Sequence, residues 1–347
     1  MIIIKPDFYD KFKCIASECS DNCCIGWEID IDENTKNKYD LIKGDFSKKL
    51  KNNIEYNGEN FYFKLGENER CPFLNQNNLC EIIINCGEDH LCDICREHPR
   101  FYEWDESFTD MGLGLCCEEV CRLIFENKSP LEFIISDDNE DDDNEYIKTF
   151  ISNRQVAFDL IKNRELSFKN RITNLINFTE KNQNEFFTSS PLKSEINISE
   201  KLLKENVLSL FEKCEPYDEN YSILISKIKE NFSEIESNKQ NFYKYLKNDF
   251  YAYEKLLTYI LFRYYSKSLY DGDLQSKIGF SLINLWFVEC IDILFWIKNK
   301  SYTEKDRINI VKYWSKEIEY SDENVEFLIS ELIDNSEFNN QNIINLF

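Results

Sequence analysis

Of the fourteen cysteines in this 347-residue chain, twelve stand within the first 121 residues. They run Cys14, Cys19, the adjacent Cys23 and Cys24, Cys71, Cys80, Cys86, Cys92, Cys95, Cys116, Cys117 and Cys121. Thiols at that density restrict a fold to one stapled by disulfides or one held by metal. Disulfide frameworks need an oxidising compartment and usually a domain too small to bury a sufficient core. The N-terminus, MIIIKPDFYDKF, has only a short apolar run before Lys5, Pro6 and Asp7. It lacks the apolar stretch and small-residue cleavage site of a secretory leader. A cytosolic chain is expected, where clustered thiols stay reduced and bind metal more often than they pair.

Bulk composition narrows the partners. A hydrophobic content of 42% with 15% aromatic residues can bury one large core or two ordinary ones, and two lobes are expected. The formal net charge of −23 excludes a duplex-binding surface, which needs clustered Lys and Arg to displace counterions. It suits solubility and tolerates a lysine-bearing protein substrate. The stretch from Ile278 to Ile297 imitates a membrane span, but Glu289 and Asp292 interrupt it. Each acid would cost about 2.5 to 3.5 kcal/mol at membrane depth. A buried helix carrying both carboxylates on a wet face, without membrane insertion, is the expectation.

The sharpest change in composition is SDDNEDDDN, from Ser136 to Asn144, a like-charge run that cannot bury apolar surface. The expected fold is therefore mostly α. It has a cysteine-rich, irregular α+β metal-binding lobe at residues 1–135, an acidic linker at 136–144 and an all-helical lobe at 145–347. Phe250, Tyr253, Leu257, Ile260, Leu261 and Tyr264 recur at intervals of three and four, which lines one helical face. Similar stripes begin after Ser199 and after Thr303, the latter with Asp306 placed for a capping box. TSSPLKSEINIS, residues 188–199, reads as a loop, and FYFKL (61–65) and CEIII (80–84) read as short strands.

Four-thiolate sites point to tetrahedral zinc or to an iron–sulfur cluster. Structural zinc favours two short knuckles. Here only Cys92 and Cys95 form a two-residue knuckle, and the looser run of Cys14, Cys19 and Cys23 favours iron–sulfur, with zinc the alternative. Adjacent side chains point to opposite sides of extended backbone, so Cys23 and Cys24 are expected to do different jobs: two sites share the loop, or one thiol stands behind the ligands. Gly26 would let backbone N–H groups approach sulfur. Arg96 and Arg100 could offset thiolate charge, or form an ordinary basic patch. His90 and His98 are weaker ligand candidates. Cys214 and Cys290, in helical segments, read as core thiols.

Together these residues resemble the flagellin lysine-N-methylase family, the cysteine-cluster proteins of the FliB type. The resemblance rests on KPDFYDKFKCIASECSDNCCIGWEIDID from Lys5, CPFLNQNNLCEI from Cys71, LCDICREHPRF from Leu91 and LGLCCEEVCRL from Leu113. It continues more loosely at LLTYILFRYYSKSLYDGDL from Leu256. It implies metal ligation by Cys14, Cys19, Cys23, Cys24, Cys71, Cys80, Cys92, Cys95 and Cys117, accompanied by Arg96, Arg100 and Arg122 as cofactor-binding residues. His98 stands where the family has Phe, and Cys116 to Arg122 departs from the family's Ser-Cys-Pro-Glu-Ala-Ala-Arg, leaving Cys86, Cys116 and Cys121 as extra thiols. The implied activity is methyl transfer from S-adenosylmethionine to flagellin lysine ε-amines, with a 4Fe-4S cluster as cofactor.

The residues neither add a Gly-rich dinucleotide loop nor complete the C-x3-C-x2-C run of radical enzymes, because Gly26 stands where its third cysteine would be. No catalytic base is assigned. Tyr102, Glu103, Asp105 and Glu119 lie near the cysteine blocks and read as solvent-exposed. The alternatives are a redox or metal-carrier module, or a zinc-stapled interaction protein.

Overall fold

A computed structural model describes residues 1–20, 22–105, 107–137, 144–187 and 196–347. Among the described residues the strands are β1 (Ile2–Pro6), β2 (Asp30–Ile31), β3 (Ile54–Tyr56), β4 (Phe61–Phe63), β5 (Arg100–Trp104), β6 (Phe108–Leu113) and β7 (Phe133–Asp137). They form a four-stranded sheet, in the order β5-β6-β1-β7, and a three-stranded sheet, β2-β4-β3. In β1, Ile2 and Ile4 are buried and alternate with half-buried Ile3 and Lys5, the period of a strand with one face on a core. It pairs parallel to β6, with Ile2 opposite Phe108, and antiparallel to β7, with Ile4 opposite Ile135.

The short helices are α1 (Glu33–Leu41), α2 (Asp45–Asn52), α3 (Glu81–Cys86), α4 (Asp93–Glu97) and α5 (Glu118–Phe125). FYFKL supplies β4 as expected, but CEIII forms α3, with Cys80 as its N-cap. Ile82 is buried whereas Ile83 and Ile84 are exposed. A single isoleucine anchors the turn to the core, and this tertiary contact outweighs the β preference of the isoleucine run.

Two compact units result, each from separated segments. One comprises Met1–Asp10, Tyr102–Cys116 and Cys121–Phe347; the other comprises Lys11–Phe101 and Cys117–Val120. This division differs from a cut at the acidic run. The pairing of β1 with β6 and β7 takes the chain's first residues and most of 102–137 into the helical unit, which therefore carries a sheet. Of the acidic run, residues 138–143 lie outside the described residues; Ser136 and Asp137 end β7, and the Asn144 side chain accepts from Ile147 N–H to start the next helix.

The long helices are α6 (Glu145–Lys162), α7 (Phe168–Glu185), α8 (Glu200–Lys213), α9 (Glu219–Glu230), α10 (Phe232–Leu246) and α11 (Tyr251–Tyr265). After these come α12 (Ser268–Asp271), α13 (Leu274–Asn299), α14 (Glu304–Trp314), α15 (Asp322–Asp334) and α16 (Asn340–Ile343). Ser167, Ser199, Asp273 and Ser321 each cap a first turn through a side-chain oxygen, and Thr303 with Asp306 forms the full capping box. The loop read at 188–199 falls mostly outside the described residues.

Helix α11 is buried along its whole length except at Arg263, rather than on one face. Helix α13 is long and apolar enough to cross a membrane, yet 94% of that apolar window is buried within the protein. Its carboxylates are not on a wet face. Glu289 pairs with Lys239 at 2.8 Å and accepts from the Tyr243 hydroxyl, while Asp292 accepts from the Tyr253 hydroxyl at 2.7 Å. A helix enclosed on all sides has no wet face, so its polar groups must find partners inside. Arg154 on α6 makes two hydrogen bonds to Asp110 on β6, at 2.5 and 2.8 Å, and Ser266 joins them, which ties the sheet to the helices.

Candidate metal centre

The cysteine unit is organised by a small core of Ile29, Ile31, Tyr39, Leu50, Phe63 and Phe73, into which Cys71 and Cys92 are buried. Cys24, Cys80 and Cys95 are half-buried against it. Backbone pairing holds the loops in place: Cys71 N–H donates to Cys24 O at 2.8 Å, Ile25 bridges Arg70, and Leu74 bridges Cys80. The Arg70 guanidinium closes the following turn through Asn75 O at 2.7 Å. Gly26 sits at φ +93°, a region that favours glycine, and its N–H goes to Glu69 O rather than to a sulfur.

Cys92 caps α4 and Cys95 follows one turn later, so the knuckle straddles a helix start. Asp32 fixes that start. Its carboxylate accepts from Thr35 N–H at 2.8 Å and from Asp93 N–H at 2.9 Å, capping α1 and α4 together. Burial opposes its charge, but these donors outweigh that and hold the Asp32 carboxyl below its ordinary range. The buried Tyr39 hydroxyl donates to His90 O at 2.8 Å and lies 3.5 Å from Cys92 Sγ. Tyr39 also lines a cavity of about 180 Å³ with Lys36, Asp40, Glu55, Tyr56 and Phe61. His90 Nδ1 is buried without a hydrogen-bond partner, and the His98 ring lies 5.7 Å from that of Trp27.

The thiols act on one another. Cys24, Cys71, Cys80, Cys92 and Cys95 influence one another, whereas Cys117 is influenced by Cys19 and Cys23. The thiols of Cys23 and Cys24 share a hydrogen bond, which, ahead of burial, pushes Cys24 up. Burial pushes Cys71 up to about 11 and Cys117 up to about 12. Backbone N–H groups oppose that rise: Phe73 and Leu74 at Cys71, Ile82 and Ile83 at Cys80, Glu119 and Val120 at Cys117. Cys92 is lowered, chiefly by the thiol of Cys95, against burial and with help from Tyr39.

Paired N–H donors aimed at buried sulfurs are what thiolates in metal sites require, and they are of little use to neutral thiols. The donor set thus fits a thiophilic metal. Among the described residues, no three His, Cys, Asp or Glu side chains converge as they stand on a point that could hold an ion. None of the cysteines is in a disulfide.

The remaining sequence candidates lie elsewhere. Cys14 is exposed, its Sγ accepting from Ala16 N–H. Arg96 pairs with Asp93 and Glu97, Arg122 pairs with Glu126 at 2.7 Å, and Arg100 lies over the Phe12 ring. Tyr102 is exposed, Glu103 faces Lys267 at 3.6 Å, and Asp105 accepts from Ser107 N–H. Glu119, expected at the surface, is buried. Of the extra thiols, Cys86 ends α3. Cys116 and Cys121 are buried in the helical unit, where Cys121 Sγ donates to Leu115 O at 3.1 Å. Cys214 and Cys290 are buried core thiols, as expected.

Sequence reasoning missed Asp32, Tyr39 and Glu118. Glu118 accepts from Ser20 N–H at 3.0 Å and lies 3.8 Å from Cys19 Sγ. Asp32 is an N-cap residue type directly before Glu33 in the first turn of α1, which is a readable signal; nothing local marks the other two.

A family model described as the FliB lysine N-methylase C-terminal domain matches residues 154–346, more than half of the chain. The flagellar biosynthetic protein FliU of Salmonella muenchen is 30% identical over 131 residues, which is 35% of this chain and 76% of that protein. A lysine-N-methylase of Salmonella typhimurium is 29% identical over 131 residues, covering 35% of this chain but 32% of that protein. That of Salmonella choleraesuis has the same identity and coverage. No solved structure matches.

Proposed function

This chain belongs to the FliB lysine N-methylase family, and from that membership we propose that it methylates lysine ε-amines of flagellin with S-adenosylmethionine, using a cysteine-held iron–sulfur cluster. The family match across the helical unit carries the reading. The matched stretch is 32% of the length of the lysine-N-methylases, so activity, substrate and cofactors are inferences from kinship and site chemistry.

The cluster's ligands would come from Cys24, Cys71, Cys80, Cys92 and Cys95. When bound, the cluster supplies the cationic charge that these buried sulfurs lack, and the methyl donor supplies an electrophilic carbon. The chain's own contributions are placement and charge. Asp32 and Tyr39 fix the helix start and the sulfur of Cys92. The net charge of −23 raises the local concentration of a lysine-bearing partner. Neutral lysine is the nucleophile, so the rate should climb toward the unperturbed lysine pKa of about 10.4.

Mass spectrometry of flagellin co-expressed with this protein tests the reading, with added methyl groups on surface lysines the expected result. Unmodified flagellin in the presence of metal-replete protein would end the methylase assignment in favour of a redox or metal-carrier role. Iron and acid-labile sulfide in near-equal amounts after anaerobic purification test the cluster separately. Stoichiometric zinc without sulfide would replace it.

A further inference from the structure

We propose that the cavity beside Tyr39 binds the amino-acid end of the methyl donor, with the α-carboxylate at Lys51, the α-ammonium at Asp40 and the apolar or sulfonium chain against the rings of Tyr39, Tyr56 and Phe61. The name of the ligand rests on the methylase reading above; the charge and size of the site stand on their own residues.

The cavity lies wholly within the cysteine unit, between α1, the last turn of α2 and the hairpin of β3 and β4. Its volume of about 180 Å³ matches the share of about six liquid waters. Pockets that enclose a drug-sized ligand run from about 300 to 1,000 Å³, so this one takes a small molecule or one end of a larger one. Buried Tyr39 and Leu50 close the inner wall. Exposed Tyr56, its ring 4.8 Å from that of Phe61, makes the outer wall aromatic and accessible. The Tyr39 hydroxyl lies 3.5 Å from Cys92 Sγ, so a ligand on the Tyr39 ring is one side chain away from the cysteine site.

Charge selects the ligand. Of the charged residues that line the cavity, Glu55 turns its carboxylate to the far face of the hairpin, where it meets Lys64 at 2.7 Å and the Tyr62 hydroxyl at 3.1 Å, because alternate residues of a strand face opposite ways. Lys36 sets its ammonium 2.7 Å from both oxygens of Asp40 and 4.9 Å from the centre of the Phe61 ring. An ammonium held by a carboxylate and an aromatic face is thus an arrangement this cavity already stabilises. Lys51, in the last turn of α2, has a side chain without an ion pair or hydrogen bond among the described residues. The cavity therefore carries one unmatched positive charge in a chain of net charge −23. A carboxylate repelled by the protein at large finds its counter-charge there. Asp40 has lone pairs beyond those that Lys36 uses, so a second ammonium can share it. A zwitterion meets both conditions, whereas a plain cation leaves Lys51 unmatched. A sulfonium can lie on the Tyr56 ring as the Lys36 ammonium lies on Phe61.

Isothermal titration calorimetry of the full chain compares S-adenosylmethionine with 5′-methylthioadenosine, which lacks the amino-acid end, in the wild type, Lys51→Glu and Lys48→Glu. Lys48 stands on the same helix, outside the cavity, with its side chain 80% exposed. Lys51→Glu should weaken S-adenosylmethionine at least about tenfold, the worth of one hydrogen bond to a charged group, and leave methylthioadenosine unchanged. Lys48→Glu should change neither. An unchanged affinity for S-adenosylmethionine in Lys51→Glu overturns the site, and so does an equal loss in Lys48→Glu or an equal loss for methylthioadenosine. If the wild type binds no S-adenosylmethionine, free methionine decides. Saturation-transfer contacts seen with the wild type and abolished in Lys51→Glu keep the amino-acid site and end the assignment of the donor, whereas their absence overturns the site. Flagellin methylated by the wild type with a KM for the donor that Lys51→Glu does not move would overturn the site and leave the methylase reading standing.

Discussion

Asp292 makes the helical unit's stability depend on pH in an unusual direction. Its carboxyl is 1% exposed in the middle of α13, and burial raises it from 3.8 to about 6, against the opposing pull of Arg307 and the hydroxyls of Tyr253 and Tyr302, and with Glu289 adding to the rise. The folded state therefore holds a proton that the unfolded chain releases earlier. The stabilisation from that proton is complete below pH 3.8 and is lost as pH climbs to about 6. A rise of about two units at 1.36 kcal/mol each makes the loss about 3 kcal/mol. Asn at this position resembles the protonated acid and does not titrate. Urea unfolding of wild type and Asp292→Asn, compared at each pH from 4.5 to 7.5, isolates the effect from every other titrating group. The variant should gain on the wild type by about 2 kcal/mol between pH 4.5 and 6.5 and then level off, because part of the loss already lies below pH 4.5. A constant difference across the range would show that Asp292 is ionised throughout and that the reasoning is wrong.

Asp110→Ala strands the Arg154 guanidinium, which is 1% exposed, and should cost about 3 to 5 kcal/mol in the same assay. Gly114→Ala would push a methyl group into the Tyr320 hydroxyl and ring, and a loss of about 1 to 3 kcal/mol is expected. Tyr320→Ala in the same chain should remove that clash, and a double-mutant cycle with strictly additive losses would contradict it. Cys121→Ser should leave metal content unchanged, because its sulfur faces Leu115 O in the helical unit; a metal deficit by elemental analysis would make it a ligand.

Helices were the legible part of this fold, because their signals are local. Ser199 and the Thr303–Asp306 box start helices where the sequence places them. The four-stranded sheet was not legible: β1 finds its partners only at 108–113 and 133–137, and no short window of sequence carries that pairing. Glu289 and Asp292 misled in a similar way. Charged residues on an apolar helix ordinarily mark the solvent side, and only the tyrosines and cations of other helices, Tyr243, Tyr253, Lys239 and Arg307, make their burial tolerable. At the candidate site the cysteines announced themselves by type and spacing. The contact of Glu118 with Ser20 did not, because it depends on the return of Cys117–Val120 from a distant segment.

The pairing of β1 also bears on the order of events during synthesis. Strand β1 leaves the ribosome before either partner, and about a hundred residues, nearly all of them the cysteine unit, must follow before β6 can receive it. Closing a flexible loop of that length costs about 4 kcal/mol in chain entropy, whereas a loop already condensed around its sulfurs behaves as a much shorter one. If residues 11–101 take up metal as proposed, that loading would assist a register in which no thiol takes part. Amides of Ile3 and Ile4, in a strand paired on both sides, should accordingly exchange with deuterium faster once metal is stripped.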